Sequence, residues 1–334
     1  SLPWTLTGGN GDLVEEHPIL DLLAKPNTNQ TPIEFWEQFM LFLDAGGGVP
    51  MHASGDNIDR DPIKEGEAAA RPGLVQELYV YRPDQVEIVS GSTGVPSQYV
   101  WNGNGQRIVF PVDSMNGNSV IKVFKYANAL GGDPFRYGTP SLQQAAFAID
   151  CYNESMRWNT NLLENLAVPP GYYKYEGDDN LTPDQVSQYN EVIQQSLAGS
   201  KNGGKTPFLG QMSFVPTGID PNKMGFEDLI NVSSRQIALA EDVPSQLLGI
   251  PGDNTYANYE QALLAFWTQT MIPLGRRITS GLNAWLVPMW DPEMTLSIDL
   301  DRIDALEPVR ERRWKKVQDA TFLSVNDKRR ELDF

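Results

Sequence analysis

The sequence predicts an α+β fold and an elongated subunit, on three observations. β-Rich runs follow one another through one stretch, Val49 to Tyr126, in a chain whose remainder is mostly helical in pattern. Two helical patterns, Pro140 to about Leu166 and Phe226 to Glu241, bracket a small α/β insert. A longer pattern, Tyr256 to Leu286, would run about 46 Å at the α-helical rise and carries Pro273 inside it. Helices arranged in this way read as a hairpin-like stalk carrying a tip. Each has one apolar stripe, and such stripes need neighbours to cover them.

The elements follow in chain order. Ile19, Leu22 and Leu23 begin a short helix that Pro26-Asn27 stops. Thr31-Pro32-Ile33-Glu34 starts a second helix, with Thr at the N-cap, Pro in the first position and acid in the first turn. It ends on three glycines, Gly46 to Gly48. ELYVYRPDQVEIVSG, QYVWNGNGQRIVFPV and SVIKVFKYA are strand-like runs punctuated by NG, GN and Pro, which predicts an antiparallel sheet. Leu142, Ala145, Ile149, Tyr152, Met156 and Leu163 then recur at helical spacing over about 40 Å. The insert reads as a short strand within VPPGYYKYEGDD, a helix capped by Thr182 with Pro183 behind it, and short strands at KTPFLG and MSFVPTG. After the third helix comes a Gly/Pro/Asn loop, LLGIPGDNTYAN. Pro273 cannot donate a hydrogen bond and should kink the last long helix.

Composition excludes several function classes. Of the 334 residues 40% are apolar, enough for a core, yet no run approaches the ~20 apolar residues of a bilayer span, so no membrane partner is expected. Ser1 opens on no secretory signal, and a first residue other than Met fits a processed start. Cys151 is the only cysteine, so no intrachain disulfide forms, no cysteine cluster holds zinc, and a reducing cytosol fits. His17 and His52 are the only histidines and are expected at the surface. No nucleophile elbow accompanies them. The net charge is −17, and the first 300 residues hold 17 basic and 35 acidic side chains. Tight gripping of nucleic acid needs clustered cations, and the basic residues gather instead near the end, in RERRWKK and KRR.

GSKNGGKT, Gly199 to Thr206, fits a phosphate-cradling loop letter for letter, with Gly204, Lys205 and Thr206 in place. That chemistry requires a strand before the loop and a helix after it. Here a helix runs in, and Pro207 drives Thr206 out of helical geometry before a strand. A P-loop ATPase using Lys205 and Thr206 is therefore the rival reading. In SIDLDRID the alternation of Ser297, Asp299 and Asp301 with Ile298 and Leu300 predicts a strand with one wet face, and no metal or cofactor site is read from it.

The order of parts resembles the portal proteins of long-tailed bacteriophages and the related portals of prophages and gene transfer agents. His17-Pro18-Ile19 with LLAKPN is similar to the family's opening motif. Gly138 to Leu142 resembles the G-x-S-P-L start of its first stem helix, and Asn165 to Gly171 its N-G-A-x-P-x-G, with Leu166 for the first Gly. Asn202-Gly203-Gly204-Lys205 resembles its N-A-G-K turn, which accounts for the false phosphate loop. Ile237-Ala238 through Val243-Pro244 and Leu247-Leu248-Gly249, then Thr255 to Glu260, then Leu323 to Arg329, follow in family order. The sequence departs from the family pattern in showing neither its usual N-terminal lead nor a long C-terminal crown.

The resemblance implies the following assignment. Residues 1–134 are an α/β wing, 135–166 a descending stem helix, 167–222 the small α/β clip and 223–244 an ascending stem helix. Residues 245–257 are a tunnel loop, 258–287 a long spine helix kinked at Pro273, and 288–334 a C-terminal segment near the wing and crown. It implies a homo-oligomeric ring, a dodecamer, at one capsid vertex of a virion assembled in the bacterial host cytoplasm. Double-stranded DNA would pass along the axis for packaging and ejection. The partners would be the major capsid protein, the terminase large subunit and the neck or head-tail adaptor; no catalysis and no cofactor is implied. Asn254, Thr255, Tyr256 and Asn258 would lie near DNA, and Lys201, Asn202 and Lys205 would make clip contacts. An acidic body suits a channel through which DNA must slide, since counterion-releasing contacts would hold the strand. A different head-tail connector ring protein is the second rival.

Overall fold

The computed structural model describes residues 3–55, 75–112, 119–127, 135–164, 171–177, 182–197, 212–216, 226–252 and 256–331. In chain order the elements are β1 (Trp4–Thr7), β2 (Leu13–Val14), α1 (Pro18–Ala24), α2 (Pro32–Gly46), β3 (Gly48–Ser54), β4 (Glu77–Val80), β5 (Val86–Ser90), β6 (Pro96–Gly103), β7 (Gln106–Pro111), β8 (Ile121–Lys125) and α3 (Ser141–Gln144). Then come α4 (Ala146–Glu164), β9 (Gly171–Tyr175), α5 (Pro183–Leu197), β10 (Met212–Pro216), α6 (Phe226–Ala240), α7 (Tyr256–Ala265), α8 (Ile272–Trp285), β11 (Thr295–Ile298), α9 (Glu307–Asp319) and α10 (Val325–Glu331). The fold is α+β, and every described strand pairing is antiparallel.

The chain divides into two compact units: 1–144 with 241–248 and 254–334, and 145–240 with 249–253. The first unit holds three small sheets, ordered β11-β1-β2, β4-β3-β8 and β5-β6-β7. α2 packs its buried face, Phe35, Phe39 and Leu43, into one core with residues of the first two of these sheets. Thr31 and Glu34 form the reciprocal capping box that the sequence signals: Glu34 N–H donates to Thr31 Oγ1, and Thr31 N–H to the Glu34 carboxylate at 2.8 Å. Gly47 ends the helix at φ 68°, a left-handed position where glycine carries no Cβ penalty.

α8 supplies the opposite wall of this core through Ile278, Leu282 and Trp285. Gly281 lets it close on the Phe124 ring, which a Cβ at that position would overlap. The Trp285 indole donates to Ser119 O at 2.6 Å. Asn283 brackets Leu296, donating to its carbonyl and accepting from its N–H, both at 2.8 Å, so the helix is stitched to β11.

The second unit is built differently. α4 packs along α6, and β9 pairs with β10 in a two-stranded ribbon. The buried positions of the two helices are small: Ala148 and Ser155 on α4, Ser233 and Ala238 on α6. Small residues let the helices approach closely but remove little apolar area from water.

Three sequence expectations are corrected. The helix read from Pro140 to Leu166 is two pieces, α3 and α4, broken at Ala145. His52 is not at the surface. It sits on β3, 6% exposed, with its ring 4.8 Å from Phe110 and its Nδ1 3.1 Å from the Tyr81 hydroxyl. Strand register turns that position inward, and an isolated His in a loop-like context does not reveal register. The strand read through SIDLDRID stops at Ile298. Asp299 instead accepts from Asp301 N–H at 3.0 Å and caps a 3-10 turn, because an Asp side chain offers the backbone a local alternative to the ladder.

Candidate functional site

Two of the residues the sequence names, Tyr256 and Asn258, lie on α7, the first part of a long helical run. α7, a π-helical turn over Phe266–Met271, and α8 follow one another without a break. The bond that defines the wider turn runs from Ile272 N–H to Trp267 O, five residues back. Pro273 follows at once, in the first turn of α8. A proline cannot donate to the carbonyl four residues earlier and its ring needs room there, and the added residue per turn provides that room. Thr268 Oγ1 donates to Leu264 O at 2.8 Å, a further side-chain substitute for regular backbone bonding. The sequence pointed to Pro273; the departure from α geometry lies in the turn before it.

The π turn is tied to the chain that leaves α6. Thr270 Oγ1 donates to Asp242 O at 2.5 Å, and Asp242 itself has φ 52°, a left-handed position uncommon for a residue with a side chain. Here the structure gathers a group that the sequence did not flag. Tyr126, just beyond β8, donates its hydroxyl to Asp44 Oδ1 at 2.5 Å, and the Arg277 guanidinium lies 5.0 Å over its ring. Burial pushes the Asp44 carboxyl up despite the Tyr126 hydrogen bond. Burial also raises the Tyr126 phenol, with the bond to Asp44 adding to it. Glu241 is raised first by burial, with Ser141 partly offsetting it and Asp44 and Asp242 repelling its charge. Its Oε1 is buried with no hydrogen-bond partner. Asp44, bonded to Tyr126 beneath the Arg277 guanidinium, thus lies close enough to Glu241 and Asp242 for the carboxylates to repel, a charged cluster at the residues that follow α6 in the chain. The five residues stand in four separate stretches of sequence, so no local pattern announces them.

The remaining sequence-named residues fall as follows. Asn254 and Thr255 lie outside the described residues; Tyr256 opens α7 and Asn258 is exposed on it. In the first unit, Ser245–Leu248 form a 3-10 turn that leaves Leu248 exposed. In the second, Gly249 and Gly252 take φ 70° and 90°, and Arg235 donates to Pro251 O at 3.2 Å. Lys201, Asn202, Lys205 and Thr206 lie outside the described residues, as does the strand read at KTPFLG. Their flanks are described: α5 precedes them, and β10, paired antiparallel with β9, follows. Among the described residues no group of three or more His, Cys, Asp or Glu is placed to hold a metal, and no helix is long and apolar enough to cross a membrane.

In the second unit several large apolar side chains of the helix pair are exposed. Phe147 is 78% exposed and Leu239 74%, with Met156 and Val232 also in solvent. A helix pair with a small-residue seam and large exposed apolar groups on its flanks is a part that another surface completes.

Comparison with known proteins places this architecture. The family model for phage portal proteins matches residues 1–333, and the chain belongs to that family. It is 29% identical over 333 residues to an uncharacterized protein of Rickettsia bellii (strain RML369-C), covering 98% of this chain and 81% of that one. Among solved structures it is similar to a chain in the neck of an empty GTA particle computed with C6 symmetry, at 30% identity and TM-score 0.72, covering 100% of this chain and 86% of that one. A chain in the neck of a native GTA particle computed with C12 symmetry matches at 31% identity and TM-score 0.71, covering 99% and 85%. An HK97-family phage portal protein from Corynebacterium diphtheriae shares the fold at 16% identity and TM-score 0.60, covering 90% and 89%.

Proposed function

We propose that this chain is the subunit of a portal ring at one capsid vertex of a virion, the conduit for double-stranded DNA in packaging and ejection. The observation that carries the reading is the incomplete helix pair of the second unit, whose exposed Phe147 and Leu239 need a neighbour, in a chain matched end to end by the portal family. A ring of identical copies supplies that neighbour at every position. The C12 symmetry of the related GTA neck supports twelve copies.

Within the ring, α4 and α6 serve as the stem, and the ribbon β9–β10 with α5 as the clip that docks the terminase large subunit and later the neck adaptor. The 245–257 segment serves as the tunnel loop, with Asn254, Thr255, Tyr256 and Asn258 presenting neutral polar groups to DNA. Lys201, Asn202 and Lys205 mark the clip surface. The spine, α7 through α8, bends at the π turn and Pro273. The wing meets the capsid shell. The subunit is structural, with ATP hydrolysis left to a partner. The P-loop alternative is disfavoured by the frame around Lys205 and Thr206: a phosphate loop leaves a parallel-sheet strand and enters a helix, whereas here α5 leads toward a strand of an antiparallel ribbon.

Electron micrographs of the purified chain test the reading. Rings with an axial hole are expected. A uniform population of 37.2 kDa particles at every concentration would remove the ring, and ATP binding that Lys205→Ala abolishes would favour the rival.

A further inference from the structure

Two helices of the first unit carry matching exposed faces of opposite charge. α9 has almost no packing of its own: of its 13 residues only Val317 is buried. It is anchored chiefly by Arg310, whose guanidinium donates to the carbonyls of Leu300, Asp301 and Ile303. Its outer side, away from Val317 and Arg310, presents Arg312, Lys315, Lys316 and Asp319, a net basic stripe with Val309 at its flank. α2 is the converse. It contains no Lys or Arg, and its solvent side presents Ile33, Glu34, Glu37 and Leu41, with Ile33 59% and Leu41 62% exposed. At the helical rise the two are each about 20 Å long, so the stripes match in length as well as in chemistry.

We infer that α9 of one subunit docks on α2 of the next, its cations against Glu34 and Glu37 and its aliphatic groups against Ile33 and Leu41. The contact is head-to-tail. Each copy offers one donor helix and one acceptor helix, which is the arrangement that closes into a ring rather than stopping at a two-fold dimer. It also gives the basic C-terminal segment of an otherwise acidic chain an acidic partner surface. The inference rests on the ring reading and adds to it the identity of one seam.

Charge reversal in the full chain, followed by native mass spectrometry, tests it. Arg312→Glu/Lys315→Glu/Lys316→Glu alters only exposed positions of α9; Glu37→Lys/Leu41→Lys alters only exposed positions of α2. Each variant alone is expected to raise the concentration at which rings form by about tenfold or more, since several weak pairs become repulsions together. An equimolar mixture is expected to restore rings in which the two variants alternate, because every seam then joins opposite charges. Rings formed equally well by each variant alone, or variants that stay at 37.2 kDa when mixed, overturn the contact while wild-type rings leave the portal reading intact. A wild-type chain that never leaves 37.2 kDa removes both. Full ring formation by the α9 variant with loss of binding to a short DNA duplex would instead turn α9 toward nucleic acid.

Discussion

The two units solve the problem of burial in opposite ways. The first encloses its own core: Phe35, Phe39, Met51, Leu78, Leu282 and Leu286 are essentially inaccessible, and α2, β3 and α8 close around them. The second leaves Phe147 and Leu239 largely in solvent, and the fully buried side chains among the described residues of its helix pair are alanines and serines. The stability of the first is a property of one chain, whereas that of the second depends on what stands beside it.

Breaking the first unit should show the largest effect. Phe39→Ala removes a fully buried ring from the centre of its core and is expected to cost about 3–5 kcal/mol, read as a lower urea midpoint of the dissociated chain. Next comes the stitch between α8 and β11. Asn283→Ala leaves the Leu296 N–H and C=O without partners and is expected to cost about 2–3 kcal/mol by the same measurement.

A smaller and pH-dependent effect sharpens the picture at Asp44 and Tyr126 in the first unit. Asp44 has its folded pKa raised, so the folded state holds the proton more tightly and the wild type loses stability as pH rises from the ordinary carboxylate range through the raised value. Asp44→Asn keeps an acceptor for Tyr126 and has no charge to bury. Its melting temperature relative to wild type is therefore expected to climb with pH across that window and then level off. A constant difference at all pH values would mean that Asp44 is not the titrating group. Glu34 and Glu77 are shifted down by their hydrogen bonds and act with the opposite sign, so the comparison must be variant against wild type.

The smallest effect on the isolated chain belongs to the second unit, and there the comparison is most exposed to failure. Phe147→Ser/Leu239→Ser is expected to change the urea midpoint of the dissociated chain by no more than about 0.5 kcal/mol, because both side chains are already in water. The same variant is expected to lose rings in electron micrographs. A large loss of monomer stability would mean that these side chains are covered within one chain.

Much of this was legible in the sequence, for reasons that are local. Thr31 followed three residues later by Glu34, Gly46 to Gly48 after an apolar helix, and Thr182 before Pro183 act through near neighbours, so a short window contains the whole interaction. What the sequence by itself determined was the kind and order of most elements between α1 and α8, and, through motifs in family order, the membership of the chain, while β1, β2, α9 and α10 went unread. Tertiary structure alone decided the inward turn of His52, the early end of β11, the π turn ahead of Pro273 and the Asp44–Tyr126–Arg277–Glu241 cluster. Each of these depends on groups distant along the chain meeting in space, where burial and a partner's charge set the outcome, and no period or spacing in the residues encodes that meeting.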